Sequence, residues 1–228
     1  MRLPGNLKIT KSTLRLRHVT KKSVHGVVSK HNTPAQRSHN PETELNTSDT
    51  RYWPSEEDGT LQVAQYTIRT LKKKTFSNYI VTELSVTHEF NERQRKVYHF
   101  VYIDWTEDGN FNDVGKFYKF VLAINHMREV VQTIVLSYCE IIGPIIVHCS
   151  TGIGRTGVFS VIDYVLHQLK KNGKISLPKI LIGIRQQRHS SVVILDQYLF
   201  CYRVVLHCLA EINNRLRDKE KTGLLRTS

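Results

Sequence analysis

Hydrophobic residues follow two different periods along the chain, and the change between them divides it in two. Between residues 61 and 104, runs rich in β-branched and aromatic residues are separated by turn-like breaks. This pattern predicts strands over 61–66, 67–71, 78–88 and 96–104, and the short connections favour antiparallel pairing. The run at 96–104 is apolar or aromatic on both faces, so we expect that strand to be buried on both sides.

From residue 112 onward, apolar residues recur at three- and four-residue spacing, which is typical of amphipathic helices. We expect a long helix over 112–143, a short buried strand at 145–147 and a second helix over 154–173. A further helix is predicted to begin at Ser176, and a last one is predicted to be capped by Asp196. Strands first and helices later indicate an α/β (α+β) domain, with a mixed twisted sheet flanked by helices.

The overall composition indicates a folded core, but the amino-terminal segment is basic and lacks aromatic residues. Of the 228 residues, 40% are hydrophobic, and the formal net charge is +13. Residues 1–47 hold nine Lys or Arg against two Glu and contain no aromatic residue. We expect residues 1–47 to form a basic flexible arm. A weak RNA or membrane-surface tether and a mitochondrial transit peptide stay open as alternatives.

Several classes of protein are disfavoured. The longest stretch without Lys, Arg, Asp or Glu, residues 141–154, is too short and too interrupted for a transmembrane segment. The four cysteines form no CxxC pair, so we expect a reducing compartment and a cytoplasmic protein. The histidines form no metal-binding motif, and we expect neither a metal nor a cofactor. Cys139, Cys201 and Cys208 are predicted to fill the core.

The segment from His148 to Gly157 is the clearest candidate for chemistry. Its short loop, between an apolar strand and a helix, exposes backbone N–H groups that can hold an anion. These groups belong to Ser150, Thr151, Gly152, Ile153 and Gly154. Cys149 begins the loop, so its pKa should fall and it becomes a candidate nucleophile. Arg155 can bind two phosphate oxygens at once, and Thr156 can donate a hydrogen bond to the sulfur. The alternative is a buried cysteine beside an arginine used for helix packing, which the spacing and the glycines disfavour.

A phosphocysteine intermediate would need an acid for the leaving oxygen and a base for the attacking water. The candidate segment is 105–109, which reads Trp-Thr-Glu-Asp-Gly directly after the predicted buried strand. A carboxylate on such a loop can move over the anion site when substrate binds. Taken alone, this acidic cluster also fits a solvated turn.

Residues 148–157 resemble the HCx5R[ST]G signature of the tyrosine-specific, cysteine-dependent protein tyrosine phosphatases. The resemblance extends to the family's YWP tripeptide, acid loop, RxxR helix and glutamine loop at 52–54, 105–109, 185–188 and 196–200. It implies the cysteine-phosphatase fold and hydrolysis of phosphotyrosine on proteins, with Glu107 as acid and then base and Gln197 positioning water. The residues of these motifs also resemble those of phosphatases encoded by polydnaviruses (bracoviruses). For a protein of such a virus, the expected cytoplasm would be that of the host cell.

The resemblance implies a phosphatase-like domain over residues 48–212, followed by a charged tail over 213–228 that is a solvated helix end. Segments that the family carries before its YWP tripeptide are not found in residues 1–46. For the strand that would flank the catalytic strand, residues 24–28 are only a poor candidate. We therefore expect a cysteine-phosphatase fold with part of the amino-terminal region missing and an incomplete sheet.

Three substitutions weaken the expected proton-transfer groups. Glu107 stands where the family has an aspartate, Val193 replaces the first glutamine of the glutamine loop, and Ser48 replaces a lysine. They motivate one alternative, a phosphotyrosine-binding pseudophosphatase with little or no turnover. The charge suggests another, an RNA 5′-triphosphatase, which the YWP and DQYLF matches disfavour.

The sequence leaves two alternatives open for the roles of His148 and Arg188. The expected binding partners follow from the resemblance to the family. His148 either tunes Cys149 or satisfies neighbouring backbone, while Arg188 either buttresses the loop or forms a surface salt bridge. We expect phosphotyrosine-containing proteins as partners and no specific nucleic acid. The sequence does not determine the oligomeric state.

Overall fold

The computed structural model describes residues 7–9, 23–27, 52–105, 113–136, 145–149 and 151–224 of the chain. This part of the chain holds one seven-stranded mixed sheet and four helices. The elements are β1 (Leu7–Ile9), β2 (Ser23–Val27), β3 (Thr60–Val63), β4 (Tyr66–Thr75), β5 (Tyr79–His88), β6 (Gln94–Tyr102), α1 (Val114–Leu136), β7 (Ile145–Val147), α2 (Gly154–Asn172), α3 (Leu177–Gln187) and α4 (Leu195–Leu224). The predicted α/β class with a mixed sheet is confirmed.

Strands β3 to β6 form an antiparallel meander, as the short connections predicted. The turn between β3 and β4 lies at Ala64 and Gln65, where Ala64 has a φ of 50°, and not at residue 66 as expected. Strand β4 also continues past residue 71 to Thr75. Its last residues pair with β5 through the backbone while their side chains face water, so the side-chain pattern does not reveal them.

The other half of the sheet is parallel. Strand β7 lies between β1 and β2, and β2 also pairs with β6. The expected gap beside β7 is therefore wrong, because Ser23–Val27 fills it. This correction also places eight residues of the expected flexible arm in the sheet. The physical reason is that β6 and β7 present backbone N–H and C=O groups that need partners once they are buried.

Strand β6 separates two hydrophobic cores. Phe100 and Tyr102 face the helices and join the larger core formed with α1, α2 and α4. Val97 and Val101 face the opposite side and pack with Trp53 and its neighbours. The prediction that this strand is buried on both sides is confirmed from Val97 to Tyr102, where Tyr98 alone is partly exposed. It is wrong for Ile103 and Asp104, which follow the end of β6 and are exposed.

Helix α2 runs through the larger core, and all ten residues from 156 to 165 are buried. It ends as predicted at Gly173, whose φ of 65° and N–H bond to the Leu169 carbonyl terminate the helix. The buried carboxylate of Asp163 accepts a hydrogen bond from Arg128 of α1 at 2.9 Å. This ion pair joins α1 to α2.

The last two helices begin close to their predicted positions. Helix α3 follows Ser176 as expected. Helix α4 starts at Leu195, so Asp196 lies in the first turn and not at the cap, where its carboxylate still faces the positive end of the helix dipole. Cys201 and Cys208 are buried in α4 as predicted, whereas Cys139 and residue 143 lie outside the described residues. Within the described residues, no helix has the length and apolarity to cross a membrane.

We expect Phe100→Ala to lower the free energy of unfolding by about 3–5 kcal/mol, because it opens a cavity in the core. Phe100 is 2% exposed, whereas Phe90 in the β5–β6 turn is 84% exposed. The matched control Phe90→Ala should therefore change stability by less than about 0.5 kcal/mol. Urea denaturation followed by circular dichroism measures both, and equal losses would contradict the two-core description.

Candidate active site

The candidate site lies where β7 meets α2. Ile145 and Val147 of β7 are 1% and 0% exposed, and two residues later Cys149 is 3% exposed. The loop then passes directly into α2, whose cap residue Ile153 supplies no side-chain hydrogen bond. The free N–H groups of a helix start are therefore available on the side of Cys149. Ser150 lies outside the described residues.

The peptide groups of this loop are bound from two sides. The Gly152 N–H donates to the Cys149 sulfur at 3.2 Å. On the opposite side, the Arg188 guanidinium donates to the Gly152 carbonyl at 2.6 Å and to the Thr151 carbonyl at 3.4 Å. The Ile153 carbonyl accepts from the N–H of Val192 at 3.1 Å. Of the two roles considered for Arg188, these contacts are those of a buttress for the loop.

The environment of Cys149 favours its thiolate. Burial raises the pKa of the thiol, but donors close to the sulfur outweigh burial and bring the pKa below its ordinary value; they are the Thr156 hydroxyl and N–H, the Gly152 N–H and the Thr151 hydroxyl. Cys201 in α4 is also buried, and there burial raises the pKa to about 12. The two thiols differ because the loop surrounds only Cys149 with donors.

Thr156 and Arg155 occupy the first turn of α2. The Thr156 hydroxyl is fully buried beside the Cys149 sulfur, and its nearness lowers the pKa of that thiol although it makes no hydrogen bond of good geometry with the described residues. Arg155 is partly buried, and no carboxylate in the described part of the chain pairs with its guanidinium. Both residues therefore keep donors available for a charged group in the loop.

Gln197 lies against the same helix start. A Cβ built on Gly154 would be 2.8 Å from the Gln197 Nε2, so the amide rests directly on the loop. Gln197 is 8% exposed, and its Oε1 has no hydrogen-bond partner among the described residues. Val193 is 57% exposed, so its apolar side chain faces solvent. This is the position of the first glutamine in the glutamine loop that the sequence resembles.

His148 is connected to the far side of the sheet through a tyrosine. The Tyr52 hydroxyl bonds to His148 Nε2 at 2.5 Å and to His99 Nε2 at 3.2 Å. Burial raises the pKa of Tyr52, so the phenol stays neutral. Trp53 packs against His99 with ring centroids 4.2 Å apart. The YWP tripeptide thus attaches the smaller core to the residue beside Cys149.

Glu107 and the other residues of the expected acid loop after Trp105, residues 106–109, lie outside the described residues. The residues on either side of it are held in place. Trp105 is 4% exposed and packs edge-on against Tyr102 and Phe117, with ring centroids 5.6 and 5.4 Å away. The Lys116 ammonium lies 3.1 Å from Asp104 before the loop and 3.8 Å from Asp113 after it. One lysine therefore joins both ends of the segment.

Sequence reasoning missed the segment that supports the loop from outside. The Arg185 guanidinium donates to the carbonyls of Ser191 and Val192 at 3.0 and 2.8 Å, and Val192 in turn donates to the loop. Val192 has a φ of 58°, a left-handed conformation that is strained for a β-branched residue. His99 was missed as well. No local pattern marks these residues, because their partners are distant in the chain.

Iodoacetamide alkylation tests the lowered pKa of Cys149, since only the thiolate reacts. In the folded protein we expect the rate at Cys149 to rise with a midpoint at lower pH than in the unfolded chain, because its pKa is lowered. Mass spectrometry of alkylated peptides across a pH series measures this rate. The Thr156→Val variant should move the midpoint upward, since it removes the donor that lowers the pKa most. A midpoint equal to that of the unfolded chain would contradict the described hydrogen bonds.

Gly157 allows the supporting segment to approach α2. A Cβ at Gly157 would be 2.8 Å from the Val192 backbone nitrogen, whereas a Cβ at Gly183 in α3 would meet nothing within 4 Å. We expect Gly157→Ala to destabilise the protein by about 1–3 kcal/mol through overpacking. The control Gly183→Ala should be neutral or stabilise by up to about 1 kcal/mol. Chemical denaturation distinguishes them, and the same effect at both glycines would rule out the close contact.

Comparison with known proteins identifies the relatives of this arrangement. The family model for the protein-tyrosine phosphatase domain matches residues 36–207. Tyrosine phosphatase H3 of Microplitis demolitor bracovirus is 38% identical over 158 residues, which is 69% of this chain and 48% of that protein. The probable tyrosine phosphatase protein J4 of the same virus is 31% identical over 166 residues, or 73% of this chain and 55% of that protein.

A cellular relative shows the same similarity. The human tyrosine-protein phosphatase non-receptor type 14 is 30% identical over 168 residues, 73% of this chain but 14% of that much longer protein. The chain spans about half the length of the bracovirus relatives. The match covers the meander, the cysteine loop and the helices behind it, in the same order along the chain. On this agreement between motif, fold and relatives, the chain belongs to the protein-tyrosine phosphatase family.

Proposed function

We propose that this chain hydrolyses phosphotyrosine on proteins through a phosphocysteine intermediate. The observation that carries the proposal is the lowered pKa of Cys149 in a loop whose Gly152 N–H donates to its sulfur at 3.2 Å. A thiolate is a strong nucleophile near neutral pH, and the same donors can hold the oxygens of a phosphoryl group. We assign the catalytic domain to residues 48–212, and β1 and β2 from within residues 1–47 complete its sheet.

In the first step, the Cys149 thiolate attacks phosphorus, forming the S–P bond as the bond from phosphorus to the tyrosine oxygen breaks. The Arg155 guanidinium and the loop N–H groups bind the equatorial oxygens. Those N–H groups belong to Ser150, Thr151, Gly152, Ile153 and Gly154. Glu107 donates a proton to the tyrosine oxygen, so that tyrosine leaves as a neutral phenol.

In the second step, water attacks phosphorus and releases inorganic phosphate. Glu107, now ionised, accepts a proton from that water, and the bond from phosphorus to sulfur breaks to restore the thiolate. Gln197, whose amide rests on the loop at Gly154, orients the water. Thr156 donates to the sulfur and makes it a better leaving group. His148, held by Tyr52, keeps the start of the loop in place.

The substrate class follows from the family. We assign phosphotyrosine-containing proteins as partners, because the matching relatives are named as tyrosine phosphatases. We also propose that the chain acts in the cytoplasm, which for a viral protein would be the cytoplasm of the host cell. The bracovirus relatives motivate this assignment.

Hydrolysis assays with two substrates test the mechanism. We expect wild-type protein to release phosphate from a phosphotyrosine peptide and from p-nitrophenyl phosphate, and Cys149→Ser to release none from either. Glu107→Gln should lower kcat on the peptide by about 10²–10⁴-fold, the usual contribution of a general acid. The loss should be smaller on p-nitrophenyl phosphate, because its leaving group departs readily without a proton.

The control for Glu107 is Glu92→Gln, which neutralises an exposed carboxylate in the β5–β6 turn and should leave both rates unchanged. Binding of the phosphopeptide without turnover by folded wild-type protein would contradict the proposed hydrolysis and leave a phosphotyrosine-binding pseudophosphatase. Equal losses on the two substrates in Glu107→Gln would show that Glu107 is not the acid.

A further inference from the structure

Three consecutive apolar residues stand exposed beside the cysteine loop. Val193, Ile194 and Leu195, here called the apolar lip, are 57%, 54% and 68% exposed. Single exposed apolar residues are common on protein surfaces and need no explanation. A contiguous exposed group is different, because it commonly marks a surface that another molecule covers.

Two contacts fix the position of the apolar lip relative to the loop. On one side of it, the Val192 N–H donates to the Ile153 carbonyl at 3.1 Å. On the other side, the Gln197 amide lies over Gly154, 2.8 Å from where a Cβ would be. Residues 193–196 connect these two contacts, so they run along the edge of the loop that surrounds Cys149.

The apolar lip is held in one conformation. The Arg185 guanidinium binds the carbonyls of Ser191 and Val192 directly before it. Ser190 and Val192 have φ values of 63° and 58°, which persist only where the surroundings enforce them. Directly after the lip, the backbone enters α4. An apolar surface that is already ordered binds a partner without a further loss of backbone freedom.

The apolar surface continues beyond the lip along α4. Leu199, one turn after Leu195, is 47% exposed, and Tyr202 is 38% exposed. Within residues 193–196 the one charged side chain is the exposed carboxylate of Asp196. The lip itself therefore offers an acidic substrate residue no cation, although the net charge of the whole chain is +13.

We propose that the apolar lip binds a large apolar side chain next to the phosphotyrosine of the substrate. The inference rests on the proposed function, since phosphotyrosine in the loop is what brings the peptide to the lip. Covering part of a leucine side chain and the matching part of the lip should strengthen binding about tenfold. The substrate class is therefore phosphotyrosine flanked by leucine-like residues, and not phosphotyrosine in an acidic segment.

Fluorescence anisotropy with the Cys149→Ser chain tests this preference without depending on turnover. Three labelled phosphotyrosine peptides would differ only at the two flanking positions, which carry leucine, serine or glutamate. We expect the leucine peptide to bind about tenfold more tightly than the serine peptide, and the glutamate peptide to bind no more tightly than serine. Equal affinities, no measurable binding or a glutamate preference would overturn the inference.

A variant of the apolar lip and a control variant test whether the leucine preference depends on the lip residues. The double substitution Ile194→Ser and Leu195→Ser, made in the Cys149→Ser chain, should reduce the leucine preference to less than about threefold. Leu216→Ser removes an equally exposed leucine (53%) that lies about 30 Å further along α4, and it should leave the preference intact. A preference that survives in the lip variant would overturn the assignment to these residues.

Turnover of p-nitrophenyl phosphate by wild-type protein separates the two proposals. That substrate has no flanking residues, so its hydrolysis depends on the loop and not on the lip. Hydrolysis combined with equal peptide affinities would overturn the lip and keep the phosphatase. A leucine preference without hydrolysis would overturn the phosphatase and support the lip as part of a phosphotyrosine-binding surface.

Discussion

The candidate site depends on peptide groups that form hydrogen bonds through both their carbonyl and their N–H. In a planar trans peptide the carbonyl and the next N–H point in opposite directions. Arg188 binds the Thr151 carbonyl, and the N–H of that same peptide unit donates to the Cys149 sulfur. The Ile153 carbonyl is likewise held by the Val192 N–H, which turns the following N–H of Gly154 inward. Binding the carbonyls from outside therefore aims the donors at the sulfur.

This arrangement requires a support that is itself rigid. Arg188 follows the end of α3, and Arg185 on α3 binds the carbonyls of Ser191 and Val192. The strained φ of Val192 is tolerated because Arg185, the loop and Gly157 surround it. The tight approach at Gly157 brings this segment against α2, which is buried along most of its length. The lowered pKa of Cys149 thus has its origin in the packing of α2 and α3.

The sheet contributes a second support from the opposite direction. Strand β7 is buried and paired on both edges, so Cys149 follows a strand that cannot shift easily. Tyr52 joins His148 to His99 of β6, which links the smaller core to the start of the loop. Strand β6 takes part in both cores and ends just before Trp105, where the expected acid loop begins. Cys149 follows β7 and the expected acid loop begins after β6, and β2 pairs with both of these strands.

The sequence by itself determined the local features of this protein. The two hydrophobic periods placed most strands and helices to within a few residues, because strand and helix propensities act between neighbours in the chain. The spacing from Cys149 to Arg155 marked the candidate anion-binding loop, because a short loop is also a local feature. Only the tertiary structure decided that 23–27 completes the sheet, that Arg188 buttresses the loop, and that Val192 supports it. Those contacts join backbone groups far apart in the chain. Hydrogen bonds to backbone carbonyls leave no trace in the residue type that supplies the carbonyl, so no local pattern could predict them.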